Sequence, residues 1–407
     1  TRVRSSAASD VYKRQTLLLF SIPVSLLGMA SPFVLRLSLR DVRSSGTVAG
    51  RLSSLATVGA IVGTFGSALL LIPWIGTQRT LLVAALAVAL VSLPLLLRVA
   101  APLALVIAVL VALPPATIKP VAGLVAERET NYGYVQIVQE TGGKVVMRFD
   151  EGIADQSVYR SDAVLTGGEW DMPLVVPPLM GRPLLHLLVI GNAGGTTARV
   201  LAAEHPGIQI DGVELDPTVT ALARRYMALD TIPNLTVHTD DGRAFLSTTS
   251  QRYDLIVVDA YRQTYIPFYL ATQEFFTALR NHLNPGGAVA LNVERVPGDD
   301  RLVQAISGTV ATAFPQTWVW PALRFNELVI GLDRAVDPGS IGSRMQQLPS
   351  AATSLGPLAL RSMHTVAPSG DPMTDDHAPV EWLTDRAVLA YIAGGGRLNE
   401  TLLPTAP

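Results

Sequence analysis

The sequence predicts an α/β fold: transmembrane α-helices first, then a small β-hairpin subdomain and a doubly wound Rossmann-like sheet. Three observations carry this. Residues 187–216, LLVIGNAGGTTARVLAAEHPGIQIDGVELD, lead from an apolar strand through a glycine turn and a helix to a second strand ending in Glu214 and Asp216. That is the pattern of a parallel βαβ unit. Apolar runs at 16–35, 53–74, 80–97 and 101–117 are nearly free of charge, and each is close to the length a bilayer span needs. From residue 184 onward, strand and helix patterns alternate, which favours a sheet covered by helices on both faces.

Taken in order, residues 1–15 end in DVYKRQ and lack periodicity, so they read as an appended, non-native artefact rather than part of the fold. Residues 16–117 read as about four membrane spans, continuing a segment truncated upstream. Gly59, Gly63, Gly66 and Ala68 in the second run allow helix backbones to approach closely in lipid. The third and fourth runs allow a single kinked or re-entrant element around Arg98 and Pro102 instead.

Residues 118–183 form the hairpin subdomain, with YGYVQIVQETGGKVVMRF at 132–149 alternating apolar and polar about a Thr-Gly-Gly turn. Residues 184–392 form the Rossmann-like domain, with strands expected at 184–190, 208–214, 235–238, 254–259 and 288–293. Asp216-Pro217 is a helix start, and Asn284-Pro285-Gly286-Gly287 a stop and turn. Residues 393–407 read as a flexible tail.

Composition agrees with a membrane-fused chain. Apolar residues make up 49% and charged residues 16%, with mean hydropathy +0.36, against roughly a quarter charged in soluble domains. A net charge of −2 leaves no basic stripe for nucleic acid. There is no cysteine, and the six histidines are scattered without an H-x-x-x-H pair, so no metal is expected. Arg36, Arg40, Arg43 and Arg51 lie between the first two spans and pull that loop toward the cytoplasm. Three further crossings then oppose a cytoplasmic location for the C-terminal domain, yet adenosyl cofactors are made there. We expect a multi-pass plasma-membrane protein with its catalytic domain in the cytoplasm.

The glycine turn does not fit G-x-G-x-x-G, and a carboxylate ending the second strand suits a ribose diol, so S-adenosyl and NAD chemistry both remain open on spacing alone. The ordered segments ERETNYGYVQIV (127–138), FDEGIADQSVY (149–159), VIGNAGG (189–195), VELD (213–216), DDGR (240–243), YDLIVVDAY (253–261), LNPGG (283–287) and TDDHAPVEWL (374–383) resemble spermidine synthases. They are most similar to the membrane-fused bacterial type, in which transporter-like helices precede the aminopropyltransferase domain; residues 25–42 and 57–82 resemble that membrane half as well.

The resemblance implies a transferase that moves an aminopropyl group from decarboxylated S-adenosylmethionine to a small-molecule amine. Gly191 and Gly194 would form the cofactor turn, Glu214 would hold the ribose, Asp241 with its neighbour Asp240 would meet the adenine, and Gln156 would face the cofactor tail. Asp259 would orient the attacking amine and accept its proton. Implied partners are the lipid bilayer and, optionally, a second copy of the chain in a homodimer.

The pattern also departs from the family. Asn192 and Ala193 replace a glycine and an aspartate in the family's loop, Tyr159-Arg160-Ser161 replaces Tyr-His-Glu, and Gln263 replaces the second aspartate of D-x-x-D. With that glutamate and that second aspartate, two carboxylates that face the amine are lost, and Arg160 and Arg262 would repel a polyamine unless Asp162 or Glu169 compensates. Two other readings therefore stay open: a transferase or methyltransferase using ordinary S-adenosylmethionine on another acceptor, and a nucleoside-binding module without catalysis.

Overall fold

A computed structural model describes residues 2–39, 45–114, 117–150, 154–262 and 265–395. The chain divides into two compact units at Ala116/Thr117.

The first unit is wholly helical. Helix α1 is Arg2–Ser38, and α2, Ser45–Gly66, continues through a π-helical segment, Ser67–Leu71, into α3, Ile72–Ala112. Two residues interrupt α3: Gly76, at φ 81° and ψ 164°, and Leu96, at φ −129° and ψ 40°. Arg79 Nη2 donates to the carbonyl of Leu113 at 3.2 Å, whereas 34 residues of straight helix would separate them by about 50 Å. The two limbs therefore fold back on each other at Leu96, with Leu82, Leu86 and Ala89 clustering with Ala104, Ile107 and Val111. The third and fourth apolar runs are thus the two limbs of one hairpin, broken two residues before Arg98. Leu17–Ser38 and Ser45–Pro94 are long and apolar enough to cross a bilayer, and Leu96–Ala112 is a shorter apolar helix of 17 residues.

The second unit holds two sheets. The small one is antiparallel, in the order β1 (Leu124–Glu129), β2 (Tyr134–Gln139), β3 (Val145–Phe149), β4 (Asp155–Tyr159). The expected hairpin is its central pair, turning through Gly142 and Gly143, both at φ 77°. The flanking strands went unrecognised because LVAERE carries three charges and DQSVY is short.

The large sheet runs β12-β10-β11-β9-β8-β5-β6-β7. Its strands are β5 (His186–Ile190), β6 (Gln209–Glu214), β7 (Leu235–Thr239), β8 (Tyr253–Val258), β9 (Leu283–Glu294), β10 (Gln316–Trp320), β11 (Asn326–Leu332) and β12 (His364–Val366). Strands β5 to β9 pair in parallel, and β10, β11 and β12 join antiparallel, so the sheet is mixed. Residues 284–287 form an outward loop within β9, since Leu283 pairs with Tyr253 and Ala288 with Leu255.

The helices of this unit are α4 (Pro177–Met180), α5 (Thr196–Glu204), α6 (Pro217–Tyr226), α7 (Gly242–Thr248), α8 (Gln273–Asn281), α9 (Arg301–Ala313), α10 (Ile341–Met345), α11 (Leu355–Ser362) and α12 (Val380–Ala393). Asp216 caps α6 by accepting from Thr218 N at 2.8 Å, with Pro217 in the first turn. Of the expected tail, residues 396–407 lie outside the described residues.

One apolar core joins the two sheets: Val135, Ile137 and Met147 of the small sheet cluster with Leu187, Val189, Leu201 and Ala223. The hairpin region is therefore not a separate body, and Met172, Leu174, Val175, Val176, Leu179 and Met180 belong to the same core. The opposite face of the large sheet packs Leu188, Ile256 and Leu291 against Phe275, Phe276 and Val310.

Asp254 ties the lower ends of the strands together. Fully buried, it accepts from Leu185 N (2.8 Å), His186 N (3.0 Å) and Asn284 Nδ2 (2.8 Å), and pairs with Arg182 at 2.8 Å. Removing it strands four donors, one of them charged. Asp254→Ala should cost about 3 kcal/mol or more, measured by urea unfolding followed by tryptophan fluorescence; a loss under about 1 kcal/mol would contradict this account.

Candidate active site

Glu214, Asp240, Asp241 and Asp259 lie along one rim, the carboxyl ends of β6, β7 and β8, where ligands bind in open α/β sheets. The glycine turn after β5 forms the floor. Gly191 has φ 86°, and a Cβ there would lie 2.3 Å from the Asp259 carbonyl oxygen, so only glycine fits. Asp259 N donates to Ile190 O at 2.9 Å, which locks the end of β8 to the end of β5. Gly194 faces Met227 and Ser157, where a Cβ would lie 2.7 Å from each. Its N–H donates to Ser157 Oγ at 2.8 Å, and Thr196 Oγ1 donates to Val158 O and accepts from Val158 N, both at 2.9 Å. Strand β4 is thus fastened to the turn.

Glu214 is 8% exposed. Its Oε2 accepts from Ala193 N at 2.9 Å and its Oε1 from Asp216 N at 3.0 Å. Burial raises its pKa, while these N–H groups pull it down. Each oxygen keeps a further lone pair, enough to receive two hydroxyls of a diol.

Asp241 is more committed than its sequence position suggested. Its Oδ1 caps α7 by accepting from Arg243 N (2.9 Å) and Ala244 N (3.1 Å), and its Oδ2 accepts from Tyr269 OH at 2.7 Å. Asp240 N donates to Glu214 O at 3.2 Å, and Asp240 Oδ1 receives Asp241 N at 2.8 Å. Arg243 and Thr272 bind Asp375 at 2.5–2.7 Å, bringing the TDDHAPVEWL segment to the same rim.

Gln156 sits at a register shift in β4, where Met147 pairs with Ser157 but Arg148 with Asp155. Such a bulge frees a side chain from the strict alternation of the strand. Its amide has no hydrogen bond among the described residues.

Asp259 lies at the centre. Burial raises its pKa to about 6, opposed by a hydrogen bond from Asn292 Nδ2 at 2.9 Å. Asn326 Nδ2 donates to Asn292 Oδ1 at 3.0 Å, which fixes the amide so that its NH2 faces the carboxylate. Tyr261 OH donates to Asn292 O (3.0 Å) and accepts from Glu294 N (2.8 Å). Burial also drives Glu294 to about 7 and Glu169 to about 8, the latter with repulsion from Asp259, Asp155 and Asp171.

The sequence left Asn292, Glu294, Tyr261 and Ser157 without roles. Asn292 carried a signal, as a polar residue near the end of an otherwise apolar parallel strand beside Asp259. The expected repulsion from Arg160 is blunted, because it binds Asp162 through two hydrogen bonds, at 2.9 and 2.7 Å. Arg262 is exposed, and Gln263 lies outside the described residues.

Residues 174–322 match the family described as the spermine/spermidine synthase domain. A probable polyamine aminopropyl transferase of Bifidobacterium longum is 37% identical over 192 residues, covering 47% of this chain and 42% of that protein. A polyamine aminopropyltransferase of Vibrio vulnificus is 36% identical over 26% of this chain and 37% of its own length. That of Corynebacterium efficiens is 29% identical over 68% of this chain and 57% of its own. The chain therefore spans about two-fifths to under three-fifths of these relatives. A solved structure, a probable spermidine synthase from Corynebacterium glutamicum, superposes with TM-score 0.49 at 17% identity, over 71% of this chain and all of that one. Residues 174–322 are thus similar to the spermine/spermidine synthase domain.

Proposed function

We propose that the chain is a polyamine aminopropyltransferase that transfers the aminopropyl group of decarboxylated S-adenosylmethionine to an amine and releases methylthioadenosine. The observation that carries this reading is Asp259: a half-buried carboxylate, held by Asn292 beside the backbone of the glycine turn, with its pKa raised to about 6.

The reaction demands such a group. The incoming ammonium gives up a proton to the Asp259 carboxylate, and the freed nitrogen lone pair attacks the methylene next to the sulfonium. A C–N bond forms as the C–S bond breaks, and the bonding pair stays on sulfur, leaving a neutral thioether. A raised pKa makes Asp259 a better proton acceptor than an ordinary carboxylate, and holding both substrates against one floor supplies proximity. Glu214 would bind the ribose diol, Asp240 and Asp241 the adenine edge, Gln156 the tail of the nucleoside, and Gly191 and Gly194 allow close approach of the backbone. The unused lone pairs of Glu214 fit the ribose of a nucleoside.

We further propose that the apolar helices anchor this enzyme in a bilayer with the catalytic unit in the cytoplasm. Support comes from Leu69, Val91 and Leu97, each more than 60% exposed, a surface unfavourable in water but not in lipid.

Glu214→Ala should weaken methylthioadenosine binding in calorimetry by more than about 1.5 kcal/mol, the scale of a charged hydrogen bond; unchanged affinity would remove the ribose assignment. Asp259→Asn should bind the nucleoside normally while turnover falls about 100-fold or more. Wild-type kcat should fall on acidification through about pH 6, as Asp259 becomes protonated. Asn292→Ala removes the hydrogen bond that favours the charged form, so its acid limb should move to higher pH by about one unit; an unmoved limb would exclude this coupling. Finally, the full chain should resist carbonate extraction from membranes, and recovery in the soluble fraction without detergent would rule out anchoring.

A further inference from the structure

We infer that a second site, at the end of the large sheet opposite the crevice, binds a phosphate monoester. It is a cleft of about 610 Å³ between residues 177–183 and residues 340–347, walled by Arg182, Arg344, Ser340, Ser343 and Gln347. A space of that size holds a small metabolite or a headgroup. Arg182 pairs with Asp254, at the strand ends away from Asp259, so the site shares nothing with the function proposed above.

Two guanidinium groups are held in place around the cleft. Arg344 Nη1 donates to the carbonyls of Pro178 at 3.1 Å and Leu179 at 3.4 Å, and its Nε donates to Ser340 Oγ at 3.2 Å. A Cβ on Gly181 would lie 3.2 Å from that Nη1, so the glycine makes room for the group. Across the cleft, Arg182 Nη1 donates to Pro285 O at 2.9 Å and its Nη2 meets Asp254 at 2.8 Å. The elements that carry these residues are anchored too, since Leu179, Met180, Ile341 and Met345 belong to the core shared by the sheets. Both long side chains have therefore lost their freedom before a ligand arrives, which lowers the cost of binding one.

The donors left over are those an anion needs. Arg344 Nη2 and the Gln347 amide make no hydrogen bond among the described residues, and none of the described residues lining the cleft is acidic. Arg182 is already neutralised by Asp254, and Asp333 by Arg280 at 3.2 Å. Arg344 and Arg334 have no ion pair among the described residues. Arg334 runs beside the same loop as Arg182: its Cδ lies 3.7 Å from where a Cβ on Gly286 would be, and Met180 O lies 4.0 Å from that point. Against these two cations stands Asp337, whose carboxylate turns to Gly339 N at 3.1 Å.

That balance selects the ligand. A phosphate monoester carries about −1.5 to −2 near neutral pH and three acceptor oxygens, enough to answer Arg344 and Arg334 together. Its tetrahedral oxygens can meet donors from both walls, whereas a planar carboxylate is filled by one guanidinium fork. No aromatic residue lines the cleft to stack a base, so the walls recognise the phosphate and not a nucleobase.

The test titrates the full chain in detergent with glycerol 3-phosphate, and with glycerol as the uncharged comparison, in a calorimeter. Wild type should bind glycerol 3-phosphate saturably and glycerol not at all. Arg344→Gln and Gln347→Glu should each weaken that binding about tenfold or more, the factor for one charge-assisted hydrogen bond. Gln347→Glu breaks no hydrogen bond of the fold and sets a carboxylate on the wall, so it answers the question even where Arg344→Gln does not fold. Arg224→Gln, which removes a charge from α6 instead, should bind as wild type does. Micelles carrying phosphatidic acid separate the two sources of the group: glycerol 3-phosphate binding lost in them assigns the site to a lipid headgroup, and binding retained assigns it to a soluble ester. No saturable binding by wild type, or an affinity that Gln347→Glu leaves unchanged, would overturn the inference.

Discussion

The rest of the site depends on one close approach: the backbone of Gly191 against the carbonyl of Asp259, where a single added carbon would lie 2.3 Å from oxygen. Parallel pairing of β5 with β8 brings these strand ends together, and the missing side chain lets them stay together. The glycine turn and the Asp259 carboxylate are thereby set by one ladder rather than by two separate loops. Ser157 and Thr196 then fasten the small sheet to the same turn, so three sides of the crevice share one frame of reference.

Carboxylates in this protein fall into two kinds. Asp254 and Asp171 are buried but surrounded by donors, and they hold the chain in place. Asp259, Glu294 and Glu169 are half-buried with few partners, and desolvation drives each toward its neutral form. Folding gains nothing from the second kind. Their concentration at one rim is what an enzyme handling cations requires, and it contrasts with the fully satisfied Asp254 at the other end of the strands.

The parallel half of the large sheet was legible because its strands are continuous apolar runs separated by helical periods. Asp216-Pro217 behaved as its local chemistry predicts. The antiparallel addition of β10 to β12 was not legible: QTWVW and NELVIGL are recognisable as apolar segments, but which edge they join and in which direction is decided by packing. In the helical unit, hydropathy located the third and fourth runs but left their connection open between two spans and one kinked element. The Arg79 to Leu113 hydrogen bond resolves them into two limbs, across 34 residues that no local window spans. In the site, Asp259 and Glu214 announced themselves by standing at strand ends. Asn292 is visible only once β9 is known to lie beside β8, and Asp241 shows how one residue serves as helix cap and rim carboxylate together.

The core shared by the two sheets bears on how such a protein can diversify. Val135, Ile137 and Met147 cannot change without disturbing Leu187 and Leu201, so the small sheet is inherited with the nucleoside half as one indivisible piece. The segment from Arg160 to Val164 is exposed and has no residue in that core, yet it leads into the loop that carries Glu169. A lineage could rewrite those residues at little cost to stability while keeping the glycine turn and its neighbouring carboxylates, so descendants of this architecture should vary most in this loop and least along the floor of the crevice.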